Sequence, residues 1–450
     1  LPWREGMAAE TIVVVGGGPA GMTAASRIKR LRPEARVVVF EKSRYVSYAA
    51  CGIPYYLGGM VESIEKLVHY PVSVFREKRG IEVYTETEAV SLEPGRIAAR
   101  GPRGEYTVEW DKLLLATGAR PVVPPIPGVD LEGVATLRVL EDAERARRLL
   151  EGARRVAVVG GGYIGLEVAE NLRRRGLEVL LFEMLPHVMP SLDGDMATHI
   201  EAELRRNGVE LHTGEPVREL RGRERVEAVV TDKGSYPVDA VILAVGVKPD
   251  TRLAEMLGLE LGARGAVRVD PRLRTSMEGV YAAGDVAETF NRVTGKPDWI
   301  PLATTANKMG YVAGTNMAGG DIEFPGVVGT AVTKVFGLEI GRTGLSETQA
   351  EREGFEPVGV HVAVKTRPGY YPGGGVLRLK LVADRPTGRV LGVQAVGVDV
   401  LARIDAAAAL LYHGGTVKDL FFTDLAYAPP FAPVWDPLVV AARVAMKKIR

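Results

Sequence analysis

Chemistry in this chain can come from few places. Cys51, within "SYAACGIPYY" (Ser47–Tyr56), is the single cysteine in 450 residues. Alone it cannot close an intramolecular disulfide or complete a cysteine-rich zinc or iron–sulfur site, and no metal centre is expected. One sulfur can still exchange with an outside disulfide or cycle through a sulfenic acid, provided its thiolate is accessible. "CGIP" reads as the opening of a helix whose amides would favour that thiolate. Judged by residue type alone, a free cysteine is more often buried packing. Its position just after the first of two glycine loops argues for chemistry.

The first loop lies in "TIVVVGGGPAG" (Thr11–Gly21). A β-branched run passes into Gly16, Gly18 and Gly21, a helical pattern follows, and a second apolar run, Val37–Phe40, ends at Glu41 with Lys42 beside it. The first glycine permits a tight turn, the second lets backbone approach a pyrophosphate, and the third lets helix pack on strand. The carboxylate at the next strand end accepts bonds from a ribose diol. The device repeats in "RRVAVVGGGYIG", with Gly160, Gly162 and Gly165, and a strand ending at Glu183. Two units imply two dinucleotides and electron passage between them. Glu183 would repel a 2′-phosphate, which favours NADH over NADPH, with Arg173 to Arg175 as the competing phosphate partners. Two more strand ends carry small residues across which a ligand can lie. They are Ala116-Thr117-Gly118 in "WDKLLLATGARP" and Gly284-Asp285 in "GVYAAGDVAE", where the aspartate suits a ribityl hydroxyl.

The elements that must hold these groups are those of an ordinary globular protein, with 46% hydrophobic and 25% charged residues. Length allows about three domains. A net charge of +1 points to neither a nucleic-acid nor a membrane partner. No apolar run reaches membrane-span length, no signal-peptide layout is seen, and a lone cysteine fits a reducing compartment, so a cytoplasmic location is expected. "LPWREG" (Leu1–Gly6) precedes Met7 and is expected to be an expression or annotation remnant.

The order of signatures is dinucleotide loop, ATG, second dinucleotide loop, GD. Over nearly the whole chain it resembles the pyridine nucleotide–disulfide oxidoreductases. The resemblance implies an α/β fold with two Rossmann-like dinucleotide-binding domains and an α+β C-terminal dimerisation domain. FAD would bind the first unit and NAD(P)H an inserted second one. The expected divisions are residues 7–120 and 247–324 for FAD, 121–246 for NAD(P)H, and 325–450 for a homodimer interface. Members with an internal disulfide carry a second cysteine where this chain has Tyr56, which excludes that type.

"SYAACGIPYY", "RPGYYPGGG" (Arg367–Gly375) and "LAYAPPF" (Leu425–Phe431) resemble segments of the coenzyme A disulfide reductases, the single-cysteine branch. That resemblance implies a mixed disulfide between Cys51 and coenzyme A beside the flavin. Tyr427 and Tyr371 of a second subunit would assist it, with Tyr370 the less favoured of the adjacent pair. Substrate contacts are implied at Thr23, Arg27, Arg30, Ser47, Arg79, Asn307 and Arg367. Arg27 and Arg30, three apart on one helix face, suit the phosphates of coenzyme A. Ala50 and Trp435 depart from the pattern, standing where some relatives have an amide and a lysine. The implied activity is reduction of coenzyme A disulfide, or a CoA persulfide or polysulfide, by NAD(P)H in a homodimer with a shared active site. Competing readings are an NADH oxidase or peroxidase using a Cys51 sulfenate, whose relatives carry a histidine where this chain has Pro19; a sulfur or polysulfide reductase; and an electron-transfer or redox-sensing flavoprotein in which Cys51 is idle.

Overall fold

The computed structural model describes residues 10–449; Leu1–Gly6 lie outside them. Thr11–Val15 sits at the centre of a five-stranded parallel sheet. Arg36–Phe40 and Glu82–Tyr84 lie on one side of it, Lys112–Leu115 and Val280–Ala282 on the other. Its strands are near-continuous apolar runs because both faces are covered, and Ile12, Val13 and Val14 are fully buried. Helix Pro19–Leu31 packs along helix Ala303–Met317 through two glycines. A Cβ at Gly310 or Gly314 would run into the backbone of Ala20 or Ala24, so the close approach requires glycine there.

Between two adjacent strands the chain makes an excursion. It leaves through Ala119–Pro121 and returns through Val247–Pro249, which pair antiparallel. Inside the excursion a second parallel sheet forms in the order Val209–Thr213, Glu178–Glu183, Arg155–Val159, Ala240–Leu243, Val134–Thr136. Each parallel sheet has an antiparallel three-stranded companion, Glu88–Glu93 to Gly104–Glu109 in the first unit and Val217–Gly222 to Gly234–Pro237 in the second.

The C-terminal part is a five-stranded antiparallel sheet from Ala331–Val335 to Val390–Gly397, packed by helices Val400–Tyr412 and Pro437–Lys448. The whole is the expected mixed α/β architecture. Among the described residues, no helix is long and apolar enough to cross a membrane.

Candidate functional site

The two glycine loops repeat one geometry. Gly16 and Gly160 have φ of +111° and +109°, and a Cβ on either would collide with the carbonyl of Ala116 or Ala244. A Cβ on Gly21 or Gly165 would strike the carbonyl of Gly16 or Gly160. The fold itself demands these four glycines. Gly18 and Gly162 differ, because a Cβ there meets nothing within 4 Å. The open space above each helix N-terminus is the room a pyrophosphate needs.

The strand-end carboxylates face their loops in the same way. Glu41 accepts from the amides of Gly17 and Ser43, both at 2.6 Å, while burial pushes its pKa up against those two bonds. Glu183 is buried and accepts from Gly161 at 2.7 Å and Leu185 at 2.8 Å. Each carboxylate keeps lone pairs for a ribose diol, so the residues present fit a dinucleotide at both loops. The competing arginines are engaged elsewhere. Arg173 donates to the carbonyls of Asn207 and Leu177, Arg174 pairs with Glu170, and Arg175 donates to Leu57.

One cavity of about 1230 Å³ joins the Gly16 loop, the Ala116–Gly118 and Gly284–Asp285 strand ends, and Cys51. Lys42 borders it and lies 3.8 Å from Asp250, whose carbonyl accepts from the Thr117 hydroxyl at 2.7 Å. The Asp285 carboxylate accepts from Arg138 at 2.9 Å. Sequence reading passed over Arg138. The only signal for it was an arginine just past the end of strand Val134–Thr136, and that strand belongs to the excursion.

Cys51 sits in the 3-10 turn Ala50–Gly52, which leads into helix Ile53–Leu57. Its sulfur-bearing side chain is exposed and borders the cavity, so the packing reading of this cysteine fails. The thiol's pKa is raised, which corrects the expectation of a thiolate favoured by a helix N-terminus. Partial desolvation of the sulfur at the cavity wall acts first and the Glu167 carboxylate second, and together they outweigh Arg138. A five-residue helix supplies too little dipole to offset them. Glu167, also missed in the sequence, accepts from Thr333 of the C-terminal sheet at 2.6 Å, and burial raises its own pKa.

Of the seven substrate candidates, Thr23, Arg27, Arg30, Ser47, Arg79 and Asn307 border this same cavity. Thr23 donates to Asn307 at 3.0 Å across the helix pair. Arg27 donates to Thr315 at 3.0 Å, which fixes its guanidinium against the Ala303–Met317 helix, and Arg79 donates to Ser26 at 2.7 Å, which fixes its own against the first helix. Arg367 stands apart on a C-terminal loop, donating to Pro372 at 3.4 Å. The tyrosines also lie away from Cys51 within one chain. Tyr427 hydrogen-bonds hydroxyl to hydroxyl with Tyr370 at 3.2 Å, and Tyr370 is 75% exposed. Tyr371 instead closes a turn, its amide donating to Pro368. Of the adjacent pair, Tyr370 is the one whose hydroxyl meets that of Tyr427 within one chain. Phe422, Phe431, Val434 and Trp435, in the same part of the chain, are exposed as well.

Comparison with known proteins agrees with this geometry. A curated relative from Pyrococcus abyssi, "NAD(P)H sulfur oxidoreductase (CoA-dependent)", is 51% identical over 97% of this chain and 98% of its own length. The solved NAD-dependent persulfide reductase from A. fulgidus superposes with a TM-score of 0.95 at 40% identity, covering 97% of this chain and 83% of that one. Reduced Bacillus anthracis CoADR-RHD gives 0.95 at 34%, covering 98% and 81%. Residues 10–310 match the description pyridine nucleotide-disulphide oxidoreductase, and residues 330–438 match the dimerisation domain of the same group. Two dinucleotide units in one chain, a lone sulfur on the first unit's cavity and these matches lead to one conclusion: the chain belongs to the pyridine nucleotide-disulphide oxidoreductases, NAD(P)H-dependent flavoenzymes that use FAD.

Proposed function

We propose that this protein reduces coenzyme A disulfide, or a CoA persulfide or polysulfide, with electrons from NAD(P)H, and that Cys51 is the sulfur through which they pass. The observation that carries the reading is that one cavity holds an exposed lone thiol together with Arg27, Arg30 and Arg79. Pro19, at the start of the first helix, borders that cavity too. The CoA-dependent sulfur reductase among the relatives supports the same substrate class.

Gly18, Glu41, Lys42, Thr117, Gly118 and Asp285 would hold FAD, and Gly162 and Glu183 the nicotinamide dinucleotide. When bound, FAD supplies two-electron relay between nicotinamide and sulfur. The Cys51 thiolate attacks one sulfur of CoA–S–S–CoA, forming Cys51–S–S–CoA and expelling one CoA thiolate, which takes up a proton. Two electrons and a second proton then cleave the mixed disulfide, releasing CoA–SH and restoring the Cys51 thiolate. The net change is one disulfide, one NADH and one proton to two thiols and NAD⁺.

Tyr427 is the proton donor to the departing thiolate. A hydrogen bond between the two hydroxyls orients Tyr427 against Tyr370. Since both tyrosines and Arg367 stand off the Cys51 cavity within one chain, they act on the cysteine of a second copy, and the dimerisation domain supports that arrangement. Residues 7–120 and 247–324 serve FAD, 121–246 serve NAD(P)H and 325–450 form the interface.

Mass spectrometry of the native, non-reduced protein tests the scheme. Incubation with CoA disulfide should add one CoA at Cys51, and an unmodified thiol mass would refute the mixed disulfide. For the nucleotide, Glu183 and the engaged Arg173 to Arg175 favour NADH. We expect kcat/KM to be higher with NADH than with NADPH, and Glu183→Ala to narrow the gap roughly tenfold, the effect of removing a carboxylate–phosphate repulsion of about 1.4 kcal/mol. A wild-type preference for NADPH would overturn this assignment.

A further inference from the structure

Helix Ile53–Leu57, which continues directly from the Cys51 turn, belongs by chain order to the first unit but packs on the second. Ile53, Tyr56 and Leu57 are buried in one apolar cluster with the inserted unit's helices Leu140–Leu149 and Tyr163–Arg174. The second of these helices starts at the Gly162 loop and also bears Glu167.

Polar contacts fix the same junction. A helix end leaves carbonyls without partners, and nearby cations are favourable there. Arg147 donates to the Tyr56 carbonyl at 3.4 Å, beside the Gly59 amide at 3.1 Å, and its guanidinium lies 4.5 Å from the Tyr56 ring centroid. Arg175 donates to the Leu57 carbonyl at 3.2 Å. Next in the chain, Gly58 passes so close to the buried Asn171 that a Cβ would strike its side chain. On the other side of Cys51 the anchors lie in the first unit. The Ala49 amide donates to the Leu67 carbonyl at 2.8 Å, and Tyr48 bridges to Val68. The sulfur thus stands between two anchors, one on each unit.

Neither Arg147 nor Arg175 borders the Cys51 cavity, so any effect they have on the thiol passes through the helix. We propose that they are positioning residues for the sulfur relay: they seat the Cys51 helix on the nucleotide-binding unit and thereby fix where the thiol stands. A reacting group displaced by about 1 Å can lose about a hundredfold in rate, so two bonds remote from the chemistry can govern it. This role rests on Cys51 being the relay sulfur and adds what holds it in place.

The test uses the holoenzyme and separates the two halves of the reaction by stopped-flow. In the Arg147→Ala/Arg175→Ala double variant, NADH should reduce the flavin within about twofold of the wild-type rate, while reaction of the reduced enzyme with CoA disulfide slows about tenfold or more. The single variants should each lose about threefold in that second step, a reading that stands even if the pair does not fold. Arg147→Lys/Arg175→Lys keeps both cations and should recover most of the rate. Alkylation of Cys51 by iodoacetamide, followed by mass spectrometry, should begin at lower pH in the alanine variants. A sulfur no longer held at the cavity wall escapes part of the desolvation and of the Glu167 charge that raise its pKa.

A wild-type rate with CoA disulfide in the alanine variants would overturn the positioning role. So would an unmoved alkylation profile, or an equal loss in flavin reduction, which would make the arginines merely structural. Failure of the lysine pair to recover the rate would overturn it as well. If Cys51→Ser, run alongside, kept disulfide turnover, the reading of Cys51 itself would fail; if it abolished turnover while the arginine variants stayed fast, the positioning role alone would fail.

Discussion

Cys51→Ser should lower NADH-driven reduction of CoA disulfide by about a thousandfold or more, while NADH still bleaches the bound flavin. The first half follows from chemistry. A serine oxygen cannot form the sulfur–sulfur bond that carries the electrons, and the sequence has no second cysteine to replace it. The second half follows from geometry. Both glycine loops and their carboxylates are built without Cys51, so nucleotide binding and flavin reduction have no call on the thiol. Stopped-flow absorbance of the flavin, followed by a thiol assay, reads both halves in one sample. Retained disulfide turnover would favour the electron-transfer reading, in which the cysteine is idle.

The same site has a pH signature. Desolvation at the cavity wall and Glu167 raise the Cys51 pKa, which lowers the share of reactive thiolate. The rate of mixed-disulfide formation by the reduced enzyme should therefore climb as pH rises towards the thiol's pKa. Glu167→Gln removes the carboxylate that disfavours the thiolate, and the climb should begin at lower pH.

Lys380→Met should produce the largest loss of stability, about 3 kcal/mol, because it leaves the buried Asp193 carboxylate without its cation. Lys380 is 6% exposed and lies 3.2 Å from Asp193, 3.1 Å from Asp195 and 2.8 Å from Glu347. Asp193 and Asp195 belong to the inserted unit, whereas Lys380, Glu347 and Gln394 belong to the C-terminal domain, so the cluster ties the two together. Burial by itself would raise the Asp193 pKa. Bonds from Gln394, the Glu347 and Thr348 amides, and Lys380 overcome it and hold the value at about 2.

The sign follows from linkage. A carboxyl depressed in the folded state contributes its stability above the unfolded pKa near 3.8, and that contribution, about 2 kcal/mol, is lost as pH falls from about 5 towards 2. Urea unfolding of wild type and Lys380→Met at pH 7 and pH 3 checks both claims. The variant should be much weaker at pH 7, and the acid-dependent part should shrink because Asp193 has lost a supporting charge. Lys380→Arg, which keeps the cation, should recover part of the loss.

Much of this protein could be read directly from its sequence. Gly16, Gly18, Gly21 and Glu41, and their repeat at Gly160, Gly162, Gly165 and Glu183, are local devices. A turn, a helix start and the next strand end within about thirty residues set their geometry, and spacing in the chain carries that information. The solitary sulfur and its place after the first unit were equally plain. Spacing did not separate the glycines that backbone crowding demands from Gly18 and Gly162, which the protein alone would release.

What only tertiary structure decided are the contacts between residues far apart in the chain. Arg138 reaches Asp285 from the inserted unit, Thr333 of the C-terminal sheet bonds Glu167, Tyr311 comes under Arg27, and Tyr370 meets Tyr427 ahead of its neighbour. Even the sign of the Cys51 pKa shift was decided this way. The helix start that argued for a thiolate is local, whereas the burial and the carboxylate that oppose it are brought in by packing. Periodicity reports which face of an element is buried. It does not say which distant side chain arrives there, because that depends on how whole sheets and helices close on one another.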